Sequence, residues 1–207
     1  MIALNQGARA PAHKRVDAEN VEIHNAFALP CELGKLAEEA GKHLARKYRK
    51  KAEATATDTE GAFIAAGGSF DAFSAINKVL GNAKTDVLIV DPYMDEKTLT
   101  DYAPSINAGI KIRLLSDEAT HKKTLKPAVS HWGHQYGTKN PAEARLAPAK
   151  TLHDRLIIVD GKEVWVLTQS LNAFAARAPA SIIKVEDSVA ALKISSYENI
   201  WITAKII

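Results

Sequence analysis

Residues 152–172 read LHDRLIIVDGKEVWVLTQSLN, and this stretch decides the fold. RLIIVD (155–160) and EVWVLT (163–168) are apolar, β-branched runs joined through Asp160-Gly161, the pattern of a β-hairpin. His153 and Arg155 occupy alternate positions of the first strand, so both side chains leave one face. Ser170 and Asn172 follow the second strand, again two apart, and hairpin pairing returns them towards His153 and Arg155. An imidazole, a fixed cation, a hydroxyl and an amide then converge. Such groups suit a phosphodiester, with a nucleophile or base and donors for the nonbridging oxygens.

Moving outward, the chain alternates strands with helices from Gly61 onward. Gly67-Gly68-Ser69 precedes Phe70, Phe73, Ile76 and Leu80, which predicts a helix with Ser69 as N-cap and Gly81 as its stop. A phosphate cradle is the alternative reading of that turn, but it lacks the Lys and spacing of a P-loop. DVLIV (86–90) predicts a buried strand, DPYMDEKTLTDYA a turn and short helix, and IKIRLL (110–115) the next strand. Residues 117–130 read as helical, 131–142 as a loop and EARLA (143–147) as a weak strand. SIIKVE (181–186) is another strand. Asp187 can cap a last helix carrying Val189, Leu192, Ser196, Ile200 and Ala204. Strands separated by helices imply an α/β layered sheet. No internal repeat is visible.

The first 60 residues differ. Residues 1–30 lack periodicity and contain Pro11 and Pro30, as an arm that needs a surface to order. Residues 31–55 predict a helix with a thin stripe of Leu33, Leu36, Ala37, Ala40, Leu44 and Tyr48. From 42 to 51 it carries Lys42, His43, Arg46, Lys47, Arg49, Lys50 and Lys51 without an acid. That run is either a solvated helix face or a phosphate-facing surface. TATDTEG (55–61) reads as a linker, so domains of 1–60 and 61–207 are expected.

Composition bounds the rest. The 207 residues are 46% hydrophobic and 25% charged, which excludes disorder along the whole chain. The net charge of +3 is too small to name a nucleic-acid partner. One cysteine, Cys31, excludes an intramolecular disulfide and a Cys-rich zinc site, and it reads as a small buried apolar residue. No apolar run reaches the roughly 18 residues of a membrane span, and MIALNQGARAPAHKR lacks the apolar core of a secretory signal. A reducing bacterial cytoplasm is the expected setting.

His153-Asp154-Arg155, four residues, Asp160, then Gln169-Ser170-Leu171-Asn172 resembles the signature of the phospholipase D-like superfamily: His-x-Lys, four residues, Asp, then Gly-Ser-x-Asn. The likeness extends upstream to DVLIVDPYMDEKTLTDYAPSINAGIKIRLLSDE and downstream to SIIKVED, covering roughly 61–190. It implies an α/β fold with a mixed sheet flanked by helices, here with an N-terminal helical extension. It also implies a metal-independent phosphodiesterase, most plausibly a nuclease, with no cofactor. One His attacks phosphorus and a second protonates the leaving oxygen. With a single motif, the resemblance implies a homodimer pairing two His153 residues. Arg155 and Asn172 then bind phosphate oxygens. Ser170 supports Asn172 or a phosphate oxygen, and Asp160 orients its neighbours or caps the turn.

Arg155 stands where the family has Lys, and Gln169 where it has Gly. The Glu that single-motif nucleases carry after the motif is missing, with Ser181 in that region. These departures support an alternative: a catalytically degenerate module that binds nucleic acid or another phosphate ligand. A third reading, an interaction protein recruiting a partner through residues 1–60, rests on those residues alone. Lipid is disfavoured, since no exposed amphipathic aromatic segment suggests membrane docking.

Asp91 and Tyr93 follow a strand end, where open α/β sheets place their sites, and are candidate substrate-binding residues. Arg46, Lys47, Arg49 and Lys50 join them on the phosphate-facing reading. His131-Trp132-Gly133-His134-Gln135-Tyr136 has a His-x-x-His spacing, but Gly133 argues against a helix and no third ligand is evident. A packed or substrate-facing loop is therefore expected there, and no metal. Trp165 reads as core, and His121 with Lys122, Lys123 and Lys126 as a solvated face or second basic patch.

Overall fold

The computed structural model describes residues 34–36, 38–44 and 61–207. The chain divides into two units, residues 1–49 and 50–207. In the first, the described residues are helical and exposed, with Lys42 paired to Glu38 at 2.6 Å. Cys31, Arg46, Lys47, Arg49 and Lys50 lie outside the described residues, as do the arm and the linker.

The second unit is built on an eight-stranded sheet. Its strands are β1 (Gly61–Ile64), β2 (Asp86–Val90), β3 (Lys111–Asp117), β4 (Ala142–Ala147), β5 (Leu156–Val159), β6 (Glu163–Leu167), β7 (Ala180–Lys184) and β8 (Lys205–Ile206). They lie in the order β1-β7-β6-β5-β2-β3-β4-β8. β2, β3 and β4 run parallel, and the remaining pairings are antiparallel, so the sheet is mixed. Strands buried on both faces need continuous apolar runs. DVLIV and LIIV supply them, with Ile89 and Ile157 facing one core cluster and Leu88 and Ile158 the other.

The helices are α1 (Ser69–Gly81), α2 (Leu125–Tyr136) and α3 (Asp187–Thr203). α1 and α2 cover one face, and α3 covers the other. The short helix expected after β2 is a π turn, Thr98–Tyr102, continued by a 3-10 turn, Ala103–Ser105. α3 is pinned beside the hairpin motif: Lys193 donates to Asp154 at 2.5 Å, and Arg113 bridges Asp86 of β2 and Glu198.

Several local expectations are corrected. Gly68, not Ser69, is the N-cap of α1, and no side chain caps it. Glu186, not Asp187, precedes α3 as its cap residue. Residues 131–136 form the second half of α2 rather than a loop. Trp132 is buried there, donates to the Asn140 carbonyl at 2.9 Å and packs in a tilted contact on Tyr136, and this packing outweighs the helix cost of Gly133. α3 turns a different face inward: Ala190, Tyr197 and Trp201 are buried, while Val189 and Leu192 are exposed. β8 was not expected. Trp165 is buried, as its hairpin position predicts.

Candidate functional site

The parallel strands carry their C-terminal ends to one sheet edge, and two buried carboxylates stand there. Asp91 follows β2 and Asp117 ends β3; they are 0% and 1% exposed. A buried carboxylate is tolerated only when donors surround it. Asp91 takes the Ser170 hydroxyl at 2.6 Å and the Leu171 amide at 2.8 Å on one oxygen, and the Tyr93 amide at 2.9 Å on the other. Asp117 takes the Ala119 amide at 2.8 Å and the Thr151 amide at 3.1 Å. One carboxylate therefore fixes the turn holding Ser170, and the other fixes the chain just before His153.

The motif strand is threaded between these anchors. The Leu167 amide donates to the Arg155 carbonyl at 2.8 Å, extending the β5–β6 ladder towards the site. Asp154 faces α3, where the Lys193 ammonium, and further the Tyr197 hydroxyl, hold its carboxyl below the usual range against partial burial. His153 and Arg155 lie just before β5, which begins at Leu156 rather than at 155 as the sequence predicts. The Arg155 guanidinium carbon lies 5.4 Å from the Tyr93 ring centroid, a cation–π contact. Its Nε is buried without a hydrogen-bond acceptor. Asn172 donates to the Tyr93 carbonyl at 3.3 Å, and Lys97 donates to the Asn172 carbonyl at 3.2 Å. His153 is exposed, and its ring makes no hydrogen bond among the described residues.

The structure thus joins Arg155, Tyr93 and Asn172 around one point, with the exposed His153 two residues before Arg155 in the chain. One expected member, Asp160, sits elsewhere, and two others, Asp91 and Ser170, serve the site differently from expectation. Asp160 lies beyond the far end of β5, about 20 Å along an extended chain from His153. Its carboxylate accepts the amides of Lys84, Thr85 and Asp86 and the Thr85 hydroxyl. Burial raises its pKa, but those four donors together hold it below the usual carboxylate value. It closes the entry to β2, across strands rather than over its own hairpin turn. Asp91 is too buried to touch substrate; it positions Ser170 and Tyr93. Ser170 spends its hydroxyl proton on Asp91, so towards a phosphate it is not a free donor.

Sequence reasoning missed two residues. Asp117 occupies the same strand-end place as Asp91, and that parallel was the available signal. Gln169 accepts the Ala175 amide at 3.1 Å and donates to the Pro179 carbonyl at 2.9 Å, bracing the 169–180 loop in which Ala175 has a φ of 54°. No short-range pattern announces that role. His131 and His134 are exposed on α2, and no group of three metal-ligating side chains occurs among the described residues.

Sheet order, flanking helices and a hairpin motif at the strand ends define the phospholipase D-like fold, and solved structures share it. Nuc from Salmonella typhimurium, a phospholipase D family member, superposes with a TM-score of 0.51 at 15% identity, covering 72% of this chain and 99% of that one. NucT from Helicobacter pylori gives 0.51 at 14%, covering 71% and 98%. Phosphatidylserine synthase from Haemophilus influenzae gives 0.50 at 15%, covering 71% of this chain and 39% of its own. No family model matches the sequence, and neither does any curated protein.

Proposed function

We propose that this protein is a metal-independent phosphodiesterase, a nuclease with His153 as nucleophile in a homodimeric site. One observation carries the reading. Arg155 is clamped over Tyr93 with its Nε lacking an acceptor, two residues along the chain from the exposed His153. A buried cationic donor left unsatisfied is costly, and a phosphate oxygen is its natural acceptor. The Asn172 side chain, one residue past the Leu171 amide that Asp91 fixes, supplies the polar neighbour.

His153 attacks phosphorus as the bond to the leaving oxygen breaks, and the partner subunit's His153 gives that oxygen a proton. Water then loses a proton to the same partner imidazole and displaces His153 from phosphorus. Arg155 neutralises the developing charge on the nonbridging oxygens. Residues 1–60, with Arg46, Lys47, Arg49 and Lys50, act as an accessory arm that adds sequence-independent affinity.

The test compares wild type with His153→Ala on a chromogenic phosphodiester in EDTA, with mass read by light scattering. Cleavage by wild type alone, from a dimer, is expected. Activity lost in EDTA, or retained after His153→Ala, would overturn the assignment. A second reading, a phosphate-binding module without turnover, draws on the lack of any carboxylate bonded to His153 among the described residues. Salt-sensitive binding of nucleic acid without cleavage would favour it.

A further inference from the structure

Beside Asn172 lies an open concavity of about 770 Å³ lined by Lys97, Lys122, Arg177, Gln169 and Asn172, with small alanines between them. Its lining holds three cations and no acid. Lys97 is held in place by the Asn172 carbonyl. The side chains of Lys122 and Arg177 form no ion pair or hydrogen bond among the described residues. Glu96, adjacent to Lys97 in sequence, has its carboxyl pKa lowered first by a hydrogen bond with Thr124 and to a lesser degree by the Lys97 charge, so Lys97 is partly compensated. Lys122 and Arg177 thus stand beside Lys97 with no counter-charge of their own among the described residues, and like charges around one hollow raise one another's cost.

The floor is also built rather than accidental. Gln169 braces the loop that carries Arg177, through Ala175, Ala178 and Pro179. The turn between β2 and the π turn at Thr98 carries Lys97, and the segment after β3 carries Lys122, whose amide donates to the Met94 carbonyl at 2.9 Å. Asn172 belongs both to this hollow and to the Arg155–Tyr93 cluster, so the two are continuous.

We propose that this concavity is a flanking-phosphate subsite: it takes the phosphates of a nucleic-acid strand next to the one held by Arg155. The proposal rests on the reading of His153 and Arg155 as a phosphate-handling pair, and it narrows the substrate to a polyanionic strand. A single phosphodiester held by Arg155 leaves Lys122 and Arg177 uncompensated. A phospholipid would need apolar wall for its chains, and the lining offers only alanine methyls.

The experiment titrates the full-length protein with a fluorescein-labelled single-stranded DNA oligonucleotide over a range of salt. Lys122→Ala/Arg177→Ala is compared with Lys162→Ala/Lys205→Ala, which removes equal charge elsewhere. The first pair is expected to lose about tenfold or more in affinity at low salt. Its log–log salt slope should flatten by about 1.4, two contacts at about 0.7 each. The second pair should match wild type. Equal binding by Lys122→Ala/Arg177→Ala and wild type would overturn the subsite. So would equal losses in both pairs, or binding to phosphatidylglycerol vesicles but not to the oligonucleotide. Hydrolysis of bis(4-nitrophenyl) phosphate by wild type and His153→Ala is followed in parallel. Failure there removes the catalytic reading while leaving the strand-binding result to stand or fall separately.

Discussion

Asp91 and Ser170, 79 positions apart in the chain, are joined by a 2.6 Å hydrogen bond from hydroxyl to buried carboxylate. The same oxygen takes the Leu171 amide, and the other takes the Tyr93 amide. One side chain at the end of β2 thus aligns both the turn carrying Asn172 and the ring beneath Arg155.

Removing that carboxylate should loosen the site and the domain together. Asp91→Ala leaves the Leu171 and Tyr93 amides buried without an acceptor, at a cost of about 3 kcal/mol. Urea denaturation of the variant should show that loss, and phosphodiester binding should weaken with it. Asp91→Asn keeps an acceptor oxygen and should lose less.

Arg155 is not interchangeable with lysine here. Lysine offers no planar fork to a phosphate and a weaker contact with Tyr93. Arg155→Lys should weaken phosphodiester binding by about tenfold and Arg155→Ala by about a hundredfold, at 1.4 kcal/mol per decade. Titration with a non-cleavable phosphodiester checks the order.

Asp160 should behave as a structural acid. Its pKa is lowered in the folded chain, so its stabilisation is present above the unfolded value near 3.9 and disappears as pH falls through the lower folded value. Asp160→Ala should cost about 2 kcal/mol at neutral pH, with a smaller deficit against wild type in strong acid. Its φ of 53° suits Asn, so Asp160→Asn should recover part of the loss. Denaturation at several pH values reads both. Phosphodiesterase activity per folded molecule should stay within about twofold of wild type, because the carboxylate stands at the far end of β5.

Gln169→Gly would restore the residue of the family signature and remove the brace of the 169–180 loop. The lost hydrogen bonds and added backbone freedom should cost about 1–2 kcal/mol. Limited proteolysis should then cut within 174–179 sooner than in wild type.

Much of the fold is legible because it is written at short range. DVLIV and LIIV are apolar enough to be buried on both faces, and Asp160-Gly161 turns the chain; the strand itself starts at Leu156, just after His153 and Arg155. The failures also have physical causes. Gly133 is a weak helix former, yet Trp132 and its bond to Asn140 hold α2 together through it. α3 has apolar residues around its whole circumference, so its inward face was settled by the sheet below, through Tyr197 and Trp201.

The sequence by itself determined the inner strands and the hairpin, though not β1 and β8, and it singled out a pair of side chains suited to phosphate. Only the tertiary structure decided which acids serve them. Asp91, Asp117 and Asp160 act on segments 34 to 80 positions away. Such bonds exist only once the sheet has brought distant strand ends together. A carboxylate's role depends on which donors then surround it, and no local pattern encodes that.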